Sequence, residues 1–136
     1  VANARRTGDS LRERLAALVD RYELLHEVRG RGLMIGIEFG RPSSLKLRSR
    51  WTMLQAARKG LFAQMVVVPL LQKHRILTQV SGDHLEVIKL IPPLVIDEAD
   101  VDRFVAAFTA VMDDAHNGGL MWDFGRTLVK QAVANR

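Results

Sequence analysis

The residue with the clearest chemical potential is Lys89. It sits within Val87-Ile88-Lys89-Leu90-Ile91, a short apolar run. Alternation along a strand puts Leu85, Val87, Lys89 and Ile91 on one face. A lysine on such a face either snorkels to water or is kept to bind a carboxylate, and composition leaves both open. Other chemistry is harder to assemble. His26, His74, His84 and His116 are scattered, and none stands one helical turn from another, the spacing that lets two imidazoles share a metal. Adjacent Asp83 and His84 form only a weak loop pair. There is no Gly-x-Ser-x-Gly elbow, and Ser43, Ser44 and Ser81 read as loop residues. Gly30-x-Gly32 lacks the Gly-Lys-Ser/Thr of a phosphate loop and is followed by a strand, so it fails as a dinucleotide fingerprint too. Carboxylates gather at helix ends, where capping accounts for them.

Charge is unevenly placed. Residues 1–60 hold 13 basic and 6 acidic side chains, whereas residues 61–136 hold 7 and 9. No carboxylate occurs between Glu38 and Asp83, a stretch carrying Arg41, Lys46, Arg48, Arg50, Arg58, Lys59, Lys73 and Arg75. Such a field steers anions toward itself, although a solvated helix face is the commoner explanation. There is no cysteine, which excludes disulfides and thiolate chemistry and fits the cytoplasmic location we expect. No apolar run is long enough to span a membrane and no leader pattern opens the chain. Apolar content of 48% with 26% charged residues is that of a folded globular domain, not a disordered tail.

The elements that must hold Lys89 follow from hydrophobic period. Residues 1–9 read as a flexible lead-in. A helix starts at Ser10, capped by Asp9 or Ser10, with Leu11, Leu15, Leu18, Val19 and Tyr22 on one face. Leu24–Val28 and Leu33–Phe39 read as strands about an Arg29-Gly30-Arg31-Gly32 turn. Gly36, inside the second, suggests close approach of another backbone. Leu45 to His74 is mostly helical, with Trp51, Leu54, Leu61, Phe62 and Met65 as a stripe; Gly60 and Pro69 interrupt it, with a break or kink expected at Pro69. Ile76–Val80 and Leu85–Ile91 form strands joined by Ser81-Gly82-Asp83-His84. Asp97 caps a helix whose stripe is Val101, Phe104, Val105, Phe108, Val111 and Met112, and Asn117-Gly118-Gly119 ends it. A last helix spans Leu120 to Ala134, anchored by Trp122, Val129 and Val133. The fold class is therefore α+β, a small sheet of about four strands with helices packed mainly on one face.

Two segments carry a family resemblance. Residues 28–39, Val-Arg-Gly-Arg-Gly-Leu-Met-Ile-Gly-Ile-Glu-Phe, resemble the signature that opens the C-terminal small domain of class III aminotransferases of the ornithine and acetylornithine type. Val87 to Ile96, with Lys89 ahead of Pro92-Pro93-Leu94-Val95-Ile96, resembles that domain's second signature, and an acid-rich helix follows as in the family. The resemblance runs from about Ser10 to Ala115, in order. It implies the small domain of a fold-type-I, pyridoxal 5'-phosphate-dependent enzyme that passes an amino group from a donor to an oxo acid or aldehyde. It implies domain limits of 10–116, with 117–136 a helical extension, and a homodimer as working state. The chain opens on Val1, so we expect an upstream large domain, which in the family holds the Schiff-base lysine and most cofactor contacts. On this basis the chain alone has no catalytic, cofactor-binding or metal residue, holds no cofactor, and is inactive. Lys89 stands where many members have a carboxylate-binding arginine, which makes it the one substrate-binding candidate. Lysine keeps the charge and loses the two-pronged fork.

Two other classes compete. The acid-free stretch would suit a basic module for nucleic acid or another polyanion, but only Trp51 and Phe62 interleave with its cations and no glycine-aromatic RNA motif occurs. A purely structural oligomerisation domain is the third. Phe62–His74, with its apolar run Met65–Leu71, and the tail after Gly119 are apolar enough that we expect them to cover large-domain or partner surface, and the chain alone to self-associate.

Overall fold

A computed structural model describes residues 1–82 and 85–135 of the chain. Nine elements follow in order: α1 (Ala2–Ala17), β1 (Leu25–Arg31), β2 (Met34–Phe39), α2 (Leu45–Ala57), α3 (Leu61–His74), β3 (Gln79–Val80), β4 (Val87–Leu90), α4 (Glu98–Asn117) and α5 (Gly119–Ala134). The strands form one antiparallel sheet in the order β1-β2-β4-β3. Alternation does what the sequence predicts: Ile35, Ile37 and Phe39 of β2 and Ile88 and Leu90 of β4 are buried under the helices. The other face carries Arg29, Gly36, Glu38, Val87 and Lys89. The α+β class with helices on one side of a four-stranded sheet is thus the observed architecture.

The core lies between the sheet and the helices. Leu11 and Leu15 of α1, Phe62, Met65, Val66 and Leu70 of α3, and Val101, Phe108, Val111 and Met112 of α4 are buried in it. Phe39 links sheet to helices, with ring centroids 5.0 Å from Phe62 and 6.4 Å from Phe108. The α4 start is the capping box its sequence announces. Asp97 accepts from the Asp100 amide at 3.0 Å, and the Asp100 carboxylate accepts from the Asp97 amide at 3.0 Å. Its end is Gly118, left-handed at φ +91°, as the Asn-Gly-Gly stop requires.

Several boundaries differ from expectation. The first helix begins at Ala2, not Ser10, and Val1 rather than Asp9 or Ser10 precedes its first turn. What extends it is remote. The Asn3 side chain donates to the Leu94 and Ile96 carbonyls at 3.0 and 3.1 Å, and Thr7 is buried. Gly8 then lets α1 sit on the β1–β2 turn: a Cβ there would lie 2.0 Å from the Gly32 carbonyl oxygen. Close backbone approach therefore belongs to Gly8, not to Gly36, whose Cβ would meet nothing nearer than 3.8 Å.

The break in the long helical region falls at Gly60, not Pro69. Gly60 is left-handed at φ +84°, and α3 runs through Pro69 unbroken. The Glu86 carboxylate decides this. One oxygen accepts from the Gly60 amide at 2.9 Å and from Gln55 Nε2 at 2.7 Å, and the other accepts from the Ala63 amide at 2.8 Å. Free amides of the first turn of α3 are thereby satisfied from β4's side of the molecule. The last two strands are shorter than read, β3 being only Gln79–Val80 and β4 ending at Leu90, whereas β1 is longer: it runs through Arg31, so the expected Arg29–Gly32 turn shrinks to Gly32 and Leu33. Of the loop between them, Asp83 and His84 lie outside the described residues. In α5 the expected anchors are wrong. Trp122 (70% exposed), Val129 and Val133 face outward, and Leu120 is the buried residue.

Candidate functional site

Lys89 sits at the middle of the sheet's helix-free face. Register places it opposite Gly36 on β2 and Gln79 on β3. Its strand neighbours Ile88 and Leu90 turn into the core, so Lys89 is directed to the other side by alternation alone. The side chain is partly exposed. Gly36 leaves an open notch beside it, since no side chain rises from the adjacent β2 position.

The electrostatics of this face single Lys89 out further. Arg29, one strand further along, is neutralised locally. Its guanidinium donates to Glu38 at 2.8 Å and Glu27 at 3.2 Å, and the Glu38 bond pushes its pKa above the ordinary arginine value. Among the described residues Lys89 takes part in no ion pair and no side-chain hydrogen bond. It is a cation with uncommitted N–H donors on a sheet face, next to a gap and an amide side chain.

The remaining sequence candidates are not brought together. Among the described residues, no group of three His, Asp or Glu side chains is placed to hold a metal. His116 is structural: its ring contacts the Met112 carbonyl at 2.7 Å and packs at a tilt of 52° against Tyr22 with centroids 5.0 Å apart. The acid-free stretch is not one open cationic field. Arg48 folds back onto the Ser43 carbonyl at 2.6 Å, and the Arg50 guanidinium lies against Gly118. Ser43 donates to Glu23 at 2.7 Å. Gln79 is the site neighbour that sequence reading missed. Only the register of β3 on β4 puts it beside Lys89, and residue type gives no warning of it.

A pyridoxal cofactor can be tested against this chain's own lysines. An aldimine-forming lysine must shed its proton inside an enclosed, cation-rich pocket. Lys46, Lys59 and Lys130 are exposed. Lys73 donates to Asp123 at 2.8 Å, and that bond raises its pKa, the wrong direction. Lys89 lies on an open sheet face with no carboxylate partner. The described residues therefore do not form a pyridoxal phosphate site.

The chain's resemblances agree with this geometry. Residues 1–112 match the family model for class III aminotransferases. An aminotransferase named PigE from Serratia sp. is 29% identical, over 84% of this chain and 17% of its own length. An acetylornithine aminotransferase from Mycobacterium leprae is 31% identical, over 83% of this chain and 22% of its own. Among solved structures, one described as a transaminase with L-alanine superimposes with a TM-score of 0.69 and 30% identity, over 87% of this chain and 25% of that one. The chain thus spans about a fifth of the length of the curated relatives it matches.

Proposed function

This chain belongs to the class III aminotransferase family, and from that premise we propose that it serves as the small domain of a pyridoxal-phosphate-dependent aminotransferase. In this reading residues 10–116 are the domain proper, α1 extends it N-terminally, and 117–136 are an added helix. A preceding large domain would hold the cofactor and the lysine that carries it, since no described residue here fits that task. The working unit would be a homodimer in the cytoplasm, taking a small-molecule amino donor and an oxo acid or aldehyde.

The observation that carries the site is the unpaired Lys89 ammonium between Gly36 and Gln79 on the helix-free sheet face. Such a cation attracts an anionic substrate group and fixes its orientation by charge. As a point charge it does so without the two parallel bonds an arginine would make. It moves no proton in the reaction.

Two experiments test the reading. The 136-residue chain mixed with pyridoxal phosphate should show no internal aldimine band near ~420 nm and no lysine labelled after borohydride. A single specifically reduced lysine would overturn the assignment of the cofactor to another domain. In the full-length enzyme, Lys89→Ala should raise KM for anionic substrates by about tenfold while changing kcat far less, because a positioning contact acts in ground and transition states alike. Unchanged kinetics with every anionic substrate would reduce Lys89 to a surface lysine.

A further inference from the structure

A groove of about 480 Å³ opens where β3 ceases to cover β4. Its floor is apolar: Leu11 of α1, Leu90 of β4, and Val101 and Phe104 of α4. Its rim bears two cations, Arg75 and Arg103, against one carboxylate, Asp100; Lys89 also lines it, from a strand position whose side chain turns to the other face. Asp100 is already committed to the α4 capping box. Arg103 spends one N–H on the His74 carbonyl at 3.1 Å, while Arg75 and Lys89 take part in no ion pair among the described residues. A groove of this size with apolar walls and a few convergent polar groups has the make-up of a small-molecule site.

Two features of the groove stand out. Thr78 lines it and is only 7% exposed, yet its hydroxyl oxygen is enclosed and bonded to nothing. A buried hydroxyl without a partner is normally avoided. Arg75 is left-handed, φ 58° and ψ 36°, at the C-cap of α3. Glycine is the residue that takes this position freely, and among the described residues no other non-glycine has a positive φ. There the Arg75 and Ile76 amides donate to the Leu71 and Leu70 carbonyls at 3.1 and 2.9 Å, and this cap turns the Arg75 side chain to the groove rim.

We infer that this groove binds a small organic anion with an apolar body, of the aryl or branched monocarboxylate class. The body lies on Leu90 and Phe104, and the carboxylate meets Arg75 and Arg103. A rotation of Thr78 around Cα–Cβ by roughly 120° carries the hydroxyl to the place the methyl holds, moves the methyl to that of the hydrogen, and lets the hydroxyl donate to the same carboxylate. The inference does not depend on the aminotransferase reading, because every group it uses is in this chain and its readout is binding.

The test titrates the chain with phenylacetate and with its uncharged counterpart phenethyl alcohol, following the Thr78 and Leu90 methyl resonances. Phenylacetate should shift both saturably, and the alcohol should bind roughly tenfold more weakly. Arg75→Gly should weaken phenylacetate by roughly tenfold and leave Tm unchanged or higher, because glycine relieves the strain. Thr78→Val, which keeps the shape, should weaken it as well without lowering Tm. Equal affinity for acid and alcohol, or no saturable shift, would overturn the inference. So would binding that survives Arg75→Gly and Thr78→Val intact and vanishes only in Lys89→Ala.

Discussion

Helices α4 and α5 meet at Gly118, both carry an apolar stripe at helical spacing, and they end in opposite surroundings. In α4 seven residues of the stripe are buried, from Val101 to Ala115. In α5 only Leu120 is, with Met121 and Phe124 packed partly against the core, and from Gly125 onward every described residue is exposed. The polar side of α4 is pinned as well. Ser10 donates to Glu98 at 2.9 Å, Arg14 pairs with Asp102, and Tyr22 donates to Asp113 at 2.5 Å. By contrast, α5 is held on its polar side by Lys73–Asp123, an exposed pair of the kind worth less than about 1 kcal/mol. An apolar stripe therefore states which face of a helix wants cover. It does not state whether cover exists within the chain.

The contrast can be broken or sharpened in four ways. The largest effect should come from Phe108→Ala. Phe108 is fully buried and stacks with Phe104 at 5.9 Å and Phe39 at 6.4 Å, so its loss should cost about 3–5 kcal/mol in chemical denaturation. A change below about 1 kcal/mol would mean that α4 is no better anchored than α5. Next comes Gly118→Ala at the joint. Its φ of +91° and an Arg50 nitrogen 3.0 Å from the new Cβ predict a loss of about 1–3 kcal/mol, together with a change in the angle of α5 visible as altered Trp122 fluorescence.

A smaller effect is expected from alkali. Burial, then the hydrogen bond to Asp113, pushes the Tyr22 phenol up to about 12 from 10.0. A raised folded-state pKa means the stabilisation is complete below pH 10.0 and is lost as pH rises toward about 12. Tm should fall through that window, and Tyr22→Phe should flatten the fall. The smallest effect belongs to Val129→Gln in α5, within about 0.5 kcal/mol for the monomer, because the side chain is already in water. A large loss there that grows with protein concentration would show that a second copy covers α5.

The parts of the fold legible in the sequence were those decided locally. The β2 alternation, the Asp97 cap, the α4 stripe and the Gly118 stop each depend on residues within a few positions of one another. Where a residue far along the chain decides, the sequence alone misleads. Gly60 and Pro69 are both helix breakers, and the choice between them is made by Glu86, which accepts from the Gly60 and Ala63 amides. The start of α1 is made by carbonyls at Leu94 and Ile96. The same division runs through the site. The face of Lys89 follows from its own strand, whereas Gln79 and Gly36 reach it only through strand register. The apolar run Met65–Leu71 shows the same dependence on distant residues. Met65, Val66 and Leu70 are buried because α3 packs among α2, α4 and the sheet, leaving only Val68 and Leu71 in water.

The ties that seat α1 have a temporal meaning. Asn3–Leu94, Asn3–Ile96, Ser10–Glu98 and Arg14–Asp102 join residues 88 to 93 positions apart. A helix thus docks against segments that the ribosome adds 88 to 93 residues later. At ordinary elongation rates that interval is about 5–20 s. Throughout it the Leu11 and Leu15 side chains, fully covered in the finished fold, have no α4 to lie against. Docking of α1 consequently waits on translation of the segment that carries α4.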